Sequence, residues 1–441
     1  MQRRESGAFV EDLLDEAFEA SSRTLSPKDR ALCQELAYGA VRWQATLDWL
    51  IARKTAGRKQ KAMLQNLLRL GLYQIFWLDR IPNHAAVNET VEQAKQSGFG
   101  PQAGFVNAVL RGYLREFDQT NTLLVELKAA QPHVGYSHQE WLIKRWQKRW
   151  GAERTARLLD WNNTPPKTYA RINELRFGGN EPGPEAGRAS GERRPVLKLK
   201  DAGGLLTEWR NENVEYDFIR RDWFEENLVF ELRSHPPFAK LQSFQQGYFY
   251  IQDPSTLLAV HELNPQPDET ILDLCAAPGG KLTYLAQLMR NQGLLLAHDT
   301  SEERLRLIQE NCARLGVTCA ETLSDSKFKN QKSKFDKILV DAPCSNTGVM
   351  RRRVDLRWRI RPEEIERLRA AQLDLLGQAA AHLKSGGTLV YSTCSLEPEE
   401  NEQVVQEFLR AHSGFHLQTQ RELVPFVDAT DGAFVARLIR D

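Results

Sequence analysis

The sequence predicts an α/β protein whose C-terminal half forms a doubly wound parallel sheet, preceded by an all-α domain and a small α+β domain. Helical apolar spacing runs from Gly7 to about Phe117, and short extended segments appear between about Tyr136 and Gln252. After Asp253, strands alternate with helices. Such alternation is typical of a parallel sheet covered by helices on both faces.

The length and charge of the chain limit the kinds of protein that it can be. Its 441 residues allow two or three domains, each with its own core, and we place them at 1–130, 136–252 and 253–441. The formal charge of +1 gives no global sign of a nucleic-acid or membrane partner, so a basic surface has to be local. We find neither a signal-like start nor a run of ~18 apolar residues, and we expect a soluble cytoplasmic monomer.

The cysteines give no sign of a metal site. No two of them form a C-x-x-C pair, which is the usual signature of structural zinc. We therefore expect no metal, and free thiols in a reducing compartment. The six are Cys33, Cys275, Cys312, Cys319, Cys344 and Cys394.

The N-terminal domain is predicted from helix starts and apolar stripes. Ser26 followed by Pro27 is a typical helix N-cap with proline in the first turn, and Pro82 opens another helix. Apolar residues between Met63 and Leu72 lie along one helix. Because this region pairs no nucleophile with a base, we interpret it as a binding or docking domain.

The middle domain combines a helix rich in aromatic and basic residues with short extended segments such as Tyr169–Asn173. Interleaved aromatic and basic side chains suit nucleic-acid binding, although a solvated helix with an aromatic core face is the favoured explanation of the pattern. Residues 178–195 are rich in glycine and proline and predict a flexible loop.

The C-terminal domain is predicted from its strands. Ligands of doubly wound sheets lie beyond the carboxyl ends of the strands, so the residues that follow each strand are the candidates for chemistry. The predicted strands are Ile271–Leu274, Leu294–His298, Val317–Leu323, Phe335–Val340 and Thr388–Thr393, with edge strands at Phe415–Leu417 and Phe434–Ile439.

The stretch Ile271–Lys281 predicts a strand, a tight turn and a helix start, which together suit a cofactor. Its paired glycines allow a ligand to approach the backbone near a helix N-terminus. A phosphate-binding P-loop is excluded, because Cys275 and Leu282 occupy positions that need glycine and serine or threonine. An ordinary strand-to-helix turn is the alternative.

Acidic residues after the second and third strands indicate that the cofactor contains a nucleoside. Asp299 lies 20 positions beyond Gly279 (299 minus 279), the spacing at which a carboxylate meets ribose hydroxyls. Asp325 is then placed for an adenine amino group. A nucleoside without phosphates fits best, which points to S-adenosylmethionine. The predicted cofactor-binding residues are Cys275, Ala276, Ala277, Pro278, Gly279, Gly280, Lys281, Asp299, Arg304, Asp325 and Asp341.

Two cysteines end strands on the same rim. Cys344 follows the fourth strand and Cys394 follows the fifth. Neighbouring parallel strands are ~4.8 Å apart, so the two thiols face one pocket if these strands are adjacent. Cys33, Cys312 and Cys319 are better explained as small apolar residues.

Three motifs identify a resemblance. They are Asp-Leu-Cys-Ala-Ala-Pro-Gly-Gly-Lys at 273–281, Asp-Ala-Pro-Cys-Ser-Asn-Thr-Gly at 341–348 and Tyr-Ser-Thr-Cys-Ser-Leu-Glu-Pro-Glu-Glu-Asn at 391–401. Together they resemble the RNA 5-methylcytosine methyltransferases of the NOL/NOP2/Sun family. Residues 30–112, through Ile81–Glu89 and Phe105–Arg111, resemble the NusB-like RNA-binding domain.

The resemblance implies a Rossmann-like methyltransferase domain and a reaction. In this reaction a thiolate adds to C6 of a cytosine and so activates C5 toward a methyl group. The substrate that the resemblance implies is 16S ribosomal RNA. The resemblance also implies that Cys394 is the nucleophile and that Cys344 assists release of the methylated base. Asp341 would hold the cytosine edge, and the charge of Lys281 would favour a thiolate or orient the base.

The segment Met350–Arg361 carries six arginines around one tryptophan next to the presumed active site. Such a segment suits phosphate binding and base stacking in unpaired RNA, while a solvated charged surface is the alternative. The family's proline is missing at Val354, and Leu282 replaces a common serine or threonine. The candidate RNA-binding residues are Arg351, Arg352, Arg353, Arg357, Trp358 and Arg359.

Two other functions remain open from the sequence. A DNA cytosine methyltransferase is the nearest enzymatic alternative, since those enzymes attack with the Pro-Cys thiol. A non-catalytic RNA-binding or ribosome assembly factor is the alternative from another class.

Overall fold

The computed structural model describes residues 9–20, 25–177, 203–329 and 334–441. The chain divides into two compact units. The first unit comprises Met1–Pro165 and Met350–Ile360, and the second comprises Pro166–Val349 and Arg361–Asp441. The loop predicted at 178–195 lies outside the described residues, and the three domain boundaries placed from the sequence stay a prediction.

All the regular secondary structure in the described residues of the first unit is helical. Its helix at Pro27 begins as predicted, because Ser26 and Asp29 form a reciprocal capping box in which each side chain accepts from the other's backbone N–H. The α-helices are Val10–Ala20, Pro27–Arg42, Gln44–Lys54, Ala62–Trp77, Asn83–Ala94, Ala103–Arg115, Phe117–Ala130, Pro132–Gly135, Glu140–Asn163 and Leu356–Arg359.

The second unit contains a small antiparallel sheet of four strands. These are β1 (Thr168–Ile172), β2 (Glu215–Ile219), β3 (Val229–Ser234) and β4 (Phe249–Ile251). Their order is β2-β3-β1-β4. The fully buried indole of Trp209, on the helix Gly203–Asn211, packs against one face of this sheet.

A seven-stranded sheet organises the rest of the second unit and confirms the predicted doubly wound fold. Its order is β10-β11-β9-β8-β5-β6-β7, and the five strands from β9 to β7 in that order are parallel. The strands are β5 (Thr270–Asp273), β6 (Leu294–His298), β7 (Ala320–Leu323), β8 (Phe335–Asp341), β9 (Leu383–Thr393), β10 (Phe415–Leu423) and β11 (Ala433–Arg440).

Helices cover both faces of this sheet. Leu257–Leu263, Gly280–Leu288 and Glu302–Leu315 pack on one face, and Pro362–His382 and Glu402–Ala411 pack on the other. Short helices lie at Gln242–Gln245, Asp325–Lys329 and Pro425–Asp428. Because the central strands are covered on both sides, their side chains form a near-continuous apolar run rather than an alternating one.

The edge strand β10 is longer than predicted. It continues to Leu423 and pairs with β11 in antiparallel register. Most of its side chains are exposed, so the segment lacks the apolar alternation from which its length could have been predicted.

None of the helices in the described residues has the length and apolar character needed to cross a membrane. Nor do these ranges contain a group of three or more His, Cys, Asp or Glu side chains arranged to hold a metal ion.

Candidate active site

The segment from β5 to the helix Gly280–Leu288 forms the strand, turn and helix start that the sequence predicts. Gly279 has a φ of 102°, which glycine adopts readily and other residues rarely do. A Cβ on Gly280 would lie 3.0 Å from a ring carbon of Tyr250. The two glycines therefore allow both the bend of the backbone and the close approach of β4.

A cavity of about 220 Å³ opens at this turn. Its wall includes Cys275–Pro278, Lys281 and Asp341 from the large sheet, and Tyr250–Gln252 from β4. The cavity therefore lies beyond the carboxyl ends of the parallel strands, where doubly wound sheets bind their ligands.

The two thiols predicted to share a pocket lie in contact. β8 and β9 are adjacent and parallel, with Asp341 opposite Ser392. The Sγ atoms of Cys344 and Cys394 are 3.3 Å apart. The Cys394 thiol also donates to Oδ1 of Asn346 at 3.0 Å. The strand adjacency on which the sequence prediction depended is thus confirmed.

The loops that carry the thiols pack backbone to backbone. The N–H of Gly348 donates to the carbonyl oxygen of Cys394 at 2.9 Å. A Cβ at Gly348 would lie 2.7 Å from that same oxygen. Glycine is therefore required for this approach, which brings the chain after Cys344 against the chain after Cys394.

Electrostatics distinguish the two sulfur atoms. The hydrogen bond to Cys394, the burial of the side chain, and the charges of Cys394 and Glu400 raise the pKa of Cys344 well above its usual value. Cys344 is therefore held as a protonated thiol. In that form it can donate a hydrogen bond to the sulfur of Cys394.

A half-buried ion pair lies beside the thiols. Nζ of Lys281 is 2.5 Å from Oδ2 of Asp341, and the Ser392 hydroxyl donates to Oδ1 of Asp341 at 2.7 Å. Burial alone would lower the pKa of Lys281, but the Asp341 carboxylate, with smaller contributions from Cys394 and Asp273, raises it above its usual value. Lys281 therefore remains a cation beside the thiol pair.

The acidic residues predicted to hold a nucleoside also lie at strand ends. Asp299 is buried at the end of β6 and forms an ion pair of 3.2 Å with Nη1 of Arg304, whose Nη2 donates to the carbonyl of Ala277. Asp325 begins a short helix after β7, with Oδ1 3.7 Å from Nε2 of His298. Arg304 thus links Asp299 to the glycine turn.

Similarity to known proteins places this site in a family. A family model described as 16S rRNA methyltransferase RsmB/F matches residues 260–439. The NusB family matches residues 1–115, and an RsmF/B-like ferredoxin-like domain matches residues 138–181. The probable ribosomal RNA small subunit methyltransferase B of Bacillus subtilis is 34% identical, over 95% of this chain and 92% of that protein.

The chain belongs to the RsmB/F methyltransferase family. The ribosomal RNA small subunit methyltransferase B of an Escherichia coli O1:K1 strain is 35% identical, over 94% of this chain and 92% of that protein. The solved structure of PH0851 superposes with a TM-score of 0.74, covers 97% of this chain and 93% of its own, and is 23% identical, which supports the fold.

The RsmB/F site also contains a carboxyl that sequence reasoning missed. Asp273 ends β5, borders the cavity and is buried. Burial, and then the nearby charge of Asp341, raise the pKa of Asp273 to about 8. Its place at a strand end in the glycine-turn motif was the available signal.

Asp273 gives a testable pH dependence of stability. Its folded-state pKa of about 8 exceeds the ordinary aspartate value of about 4, so the folded chain keeps a proton that the unfolded chain has lost. This contribution to stability is complete below about pH 4 and is lost as the pH rises to about 8. Asp273→Asn should remove this loss, so its Tm relative to wild type should rise by a few degrees between pH 5 and pH 8.

Calorimetry across that pH range measures the difference. Asp79→Asn, which makes the same chemical change at an exposed site, should keep the wild-type slope. Parallel pH profiles for wild type and Asp273→Asn would contradict the assignment of a proton to Asp273.

Residues 350–360 of the arginine-rich segment lie within the first unit, and two of its arginines are buried there. Nη1 of Arg357 donates to Oδ1 of Asn163 at 2.7 Å, and Nη2 donates to the carbonyl of Asn162 at 2.9 Å. The Arg351 guanidinium lies 4.3 Å from the ring centroid of Trp161. Arg351 is 2% exposed and Arg357 is 0% exposed. Their burial does not agree with the RNA contacts predicted for these two side chains.

The remaining members of the segment are more accessible. Arg353 is exposed, and Arg352, Trp358 and Arg359 are half-buried. The Trp358 indole donates to the carbonyl of Val41 at 2.9 Å, so its ring is anchored in the first unit. The candidate RNA contacts therefore reduce to the arginines at 352, 353 and 359, with Trp358 at their side.

Proposed function

We propose that this protein transfers a methyl group from S-adenosylmethionine to C5 of a cytosine in 16S ribosomal RNA, through a covalent bond between Cys394 and C6 of the base. The contact of 3.3 Å between two cysteine sulfurs carries this proposal. One thiol suffices for a covalent nucleophile. A second thiol in contact with it offers a separate group for the later release of the product.

The residues beside the thiols suit addition to a cytosine. Attack of the Cys394 thiolate on C6 converts C5 into an enamine carbon, which makes it nucleophilic. Asp341 can accept a hydrogen bond from the exocyclic N4 amine, a group that uracil lacks. Lys281 neutralises Asp341 at 2.5 Å and keeps a positive charge near the sulfur of Cys394.

Release of the product reverses the addition. After C5 is methylated, the C5 proton passes to solvent water and the electron pair of the C5–H bond restores the C5–C6 double bond. The bond between C6 and Cys394 breaks at the same time, and the sulfur departs as a thiolate. Cys344 lies at contact distance from that sulfur and is held as a thiol, so it can donate a hydrogen bond to the leaving group. The net change replaces one C–H bond by one C–CH₃ bond.

The residues around the cavity fit S-adenosylmethionine. The paired glycines leave the backbone open, Asp299 and Asp325 offer carboxylates at strand ends, and Asp273 presents a buried carboxyl group at the wall of the cavity. We propose that these residues and Cys275–Lys281 hold the cofactor, which supplies an electrophilic methyl group when it is bound. Asp341 borders the same cavity, so it lies between the cofactor side and the thiols.

The RNA substrate is supported by the relatives of this chain and by its arginine-rich segment. The relatives from Bacillus subtilis and Escherichia coli are named as methyltransferases of small-subunit ribosomal RNA, and residues 1–115 match the NusB family. We propose that Arg352, Arg353, Trp358 and Arg359 contact RNA, and that Arg351 and Arg357 stabilise the segment that presents them. We further propose that the protein acts as a cytoplasmic monomer.

Methyl transfer from labelled cofactor tests the function. Purified protein is incubated with 16S ribosomal RNA or with DNA of the same sequence, and nucleosides are separated after digestion. We expect 5-methylcytosine in the RNA alone. Label in the DNA would support the DNA methyltransferase alternative, and RNA binding without any methyl transfer would support a non-catalytic assembly factor.

A further inference from the structure

A buried carboxylate lies beneath the two thiols. Glu400 is 0% exposed and follows β9 in the loop that begins at Cys394. The residues that it contacts, Ser345 and Ser395, each come directly after one of the two cysteines. Glu400 thus reaches both thiol-bearing loops from one position.

The hydrogen bonds of Glu400 join these loops. Oε1 accepts from the backbone N–H of Ser345 at 2.8 Å, and Oε2 accepts from the hydroxyl of Ser395 at 2.5 Å. Oε2 also accepts from the hydroxyl of Ser345. The two serine hydroxyls lie 3.1 Å apart. One carboxylate therefore connects the residue after Cys344 to the residue after Cys394.

A glutamine from a neighbouring helix completes the arrangement. Nε2 of Gln372, on the helix Pro362–His382, donates to Oε1 of Glu400 at 3.1 Å and to the carbonyl of Pro343 at 2.9 Å. Pro343 directly precedes Cys344. Burial raises the pKa of Glu400, while the hydrogen bonds from Ser345, Ser395 and Gln372 oppose the rise. Donors on every side suit a group that only accepts.

We propose that Glu400 is a positioning residue, which fixes the separation of Cys344 and Cys394 by holding the loops on which they lie. This inference rests on the proposed function, because the separation matters only if both thiols act on one base. The Cys394–C6 bond and the hydrogen bond from Cys344 must meet at a single sulfur atom. A displacement of about 1 Å commonly costs an enzyme on the order of 100-fold in rate.

The rate of disulfide formation reports how closely the two thiols approach each other, and it can be measured in the absence of RNA. The oxidant diamide takes two electrons and two protons from a pair of neighbouring thiols, so it joins sulfur atoms that can approach to bonding distance and is itself reduced to a hydrazine. The Cys344–Cys394 peptide pair is quantified by mass spectrometry over time in the full chain. Methyl transfer to 16S ribosomal RNA is measured on the same preparations.

We expect Glu400→Ala to slow formation of this disulfide several-fold and to lower kcat for methyl transfer by about 100-fold. Cofactor binding should be unchanged, because Glu400 does not border the cavity. Glu400→Gln keeps the shape and most of the bonds, since serine hydroxyls can accept as well as donate, so both rates should recover in part. Glu363→Gln makes the same chemical change at an exposed position of the helix that carries Gln372, and should behave as wild type.

The outcomes separate this inference from the proposed function. A Glu400→Ala protein with wild-type rates of disulfide formation would overturn the positioning role, and if that variant does not fold, Glu400→Gln with wild-type rates in both assays would do so. If disulfide formation depends on Glu400 while the wild-type protein methylates no RNA, the proposed function fails and the geometric role of Glu400 stands.

Discussion

Cys394→Ser is expected to abolish methyl transfer to RNA, with a loss of about 10⁴-fold or more, the order of effect seen when an enzyme loses its nucleophile. A serine hydroxyl is far less acidic than a thiol and is a much weaker nucleophile toward C6. The substitution replaces the sulfur atom by an oxygen atom and keeps the shape of the side chain. Transfer of labelled methyl groups to 16S ribosomal RNA measures the effect.

Two comparisons make this expectation specific. Cofactor affinity should be retained, because Cys394 is not part of the cavity at the glycine turn. Cys33→Ser, which changes an exposed cysteine in the first unit, should methylate RNA at the wild-type rate. If Cys394→Ser keeps more than a few per cent of the wild-type activity, another residue must be the nucleophile.

Cys344→Ala is expected to trap the enzyme on its RNA. The variant keeps Cys394 and can still form the bond to C6, but the leaving sulfur no longer receives a hydrogen bond from its neighbour at 3.3 Å. Turnover should fall by about 100-fold or more, within the range that proton transfer contributes to enzymatic rates. A protein–RNA adduct should accumulate and be visible as a slowly migrating band on a denaturing gel.

The double variant tests the order of events. Cys344→Ala combined with Cys394→Ser should form no adduct, because the bond to RNA requires Cys394. If the adduct appears instead with Cys394→Ser alone, Cys344 is the nucleophile, as in DNA cytosine methyltransferases. The roles of the two thiols would then have to be exchanged.

Local sequence signals were sufficient for much of the fold and for part of the site. The apolar run of β5, the glycine pair and the helical spacing after Lys281 predicted the turn, because each depends on neighbouring residues alone. The contact of Cys344 with Cys394 followed from one further condition, the adjacency of β8 and β9. A doubly wound topology offers few alternatives to that adjacency.

Burial was the property that sequence reasoning could not supply. Six arginines around a tryptophan predict an exposed RNA-binding segment, yet Arg351 and Arg357 lie in the interior. Backbone carbonyls and the amide of Asn163, far away in sequence, satisfy Arg357. Glu400 was overlooked for the same reason, since its partner Ser345 lies 55 positions earlier in the chain.

The placement of Met350–Ile360 in the first unit has a consequence for how this protein can be divided or recombined. A fragment that begins at Pro166 would retain the methyltransferase sheet but would expose Val354 and the buried guanidinium groups of Arg351 and Arg357, whose partners lie before Pro165. An exchange of N-terminal regions between relatives would succeed only if this short internal segment were exchanged with them. The catalytic half is therefore not an autonomous module, although its sheet is continuous.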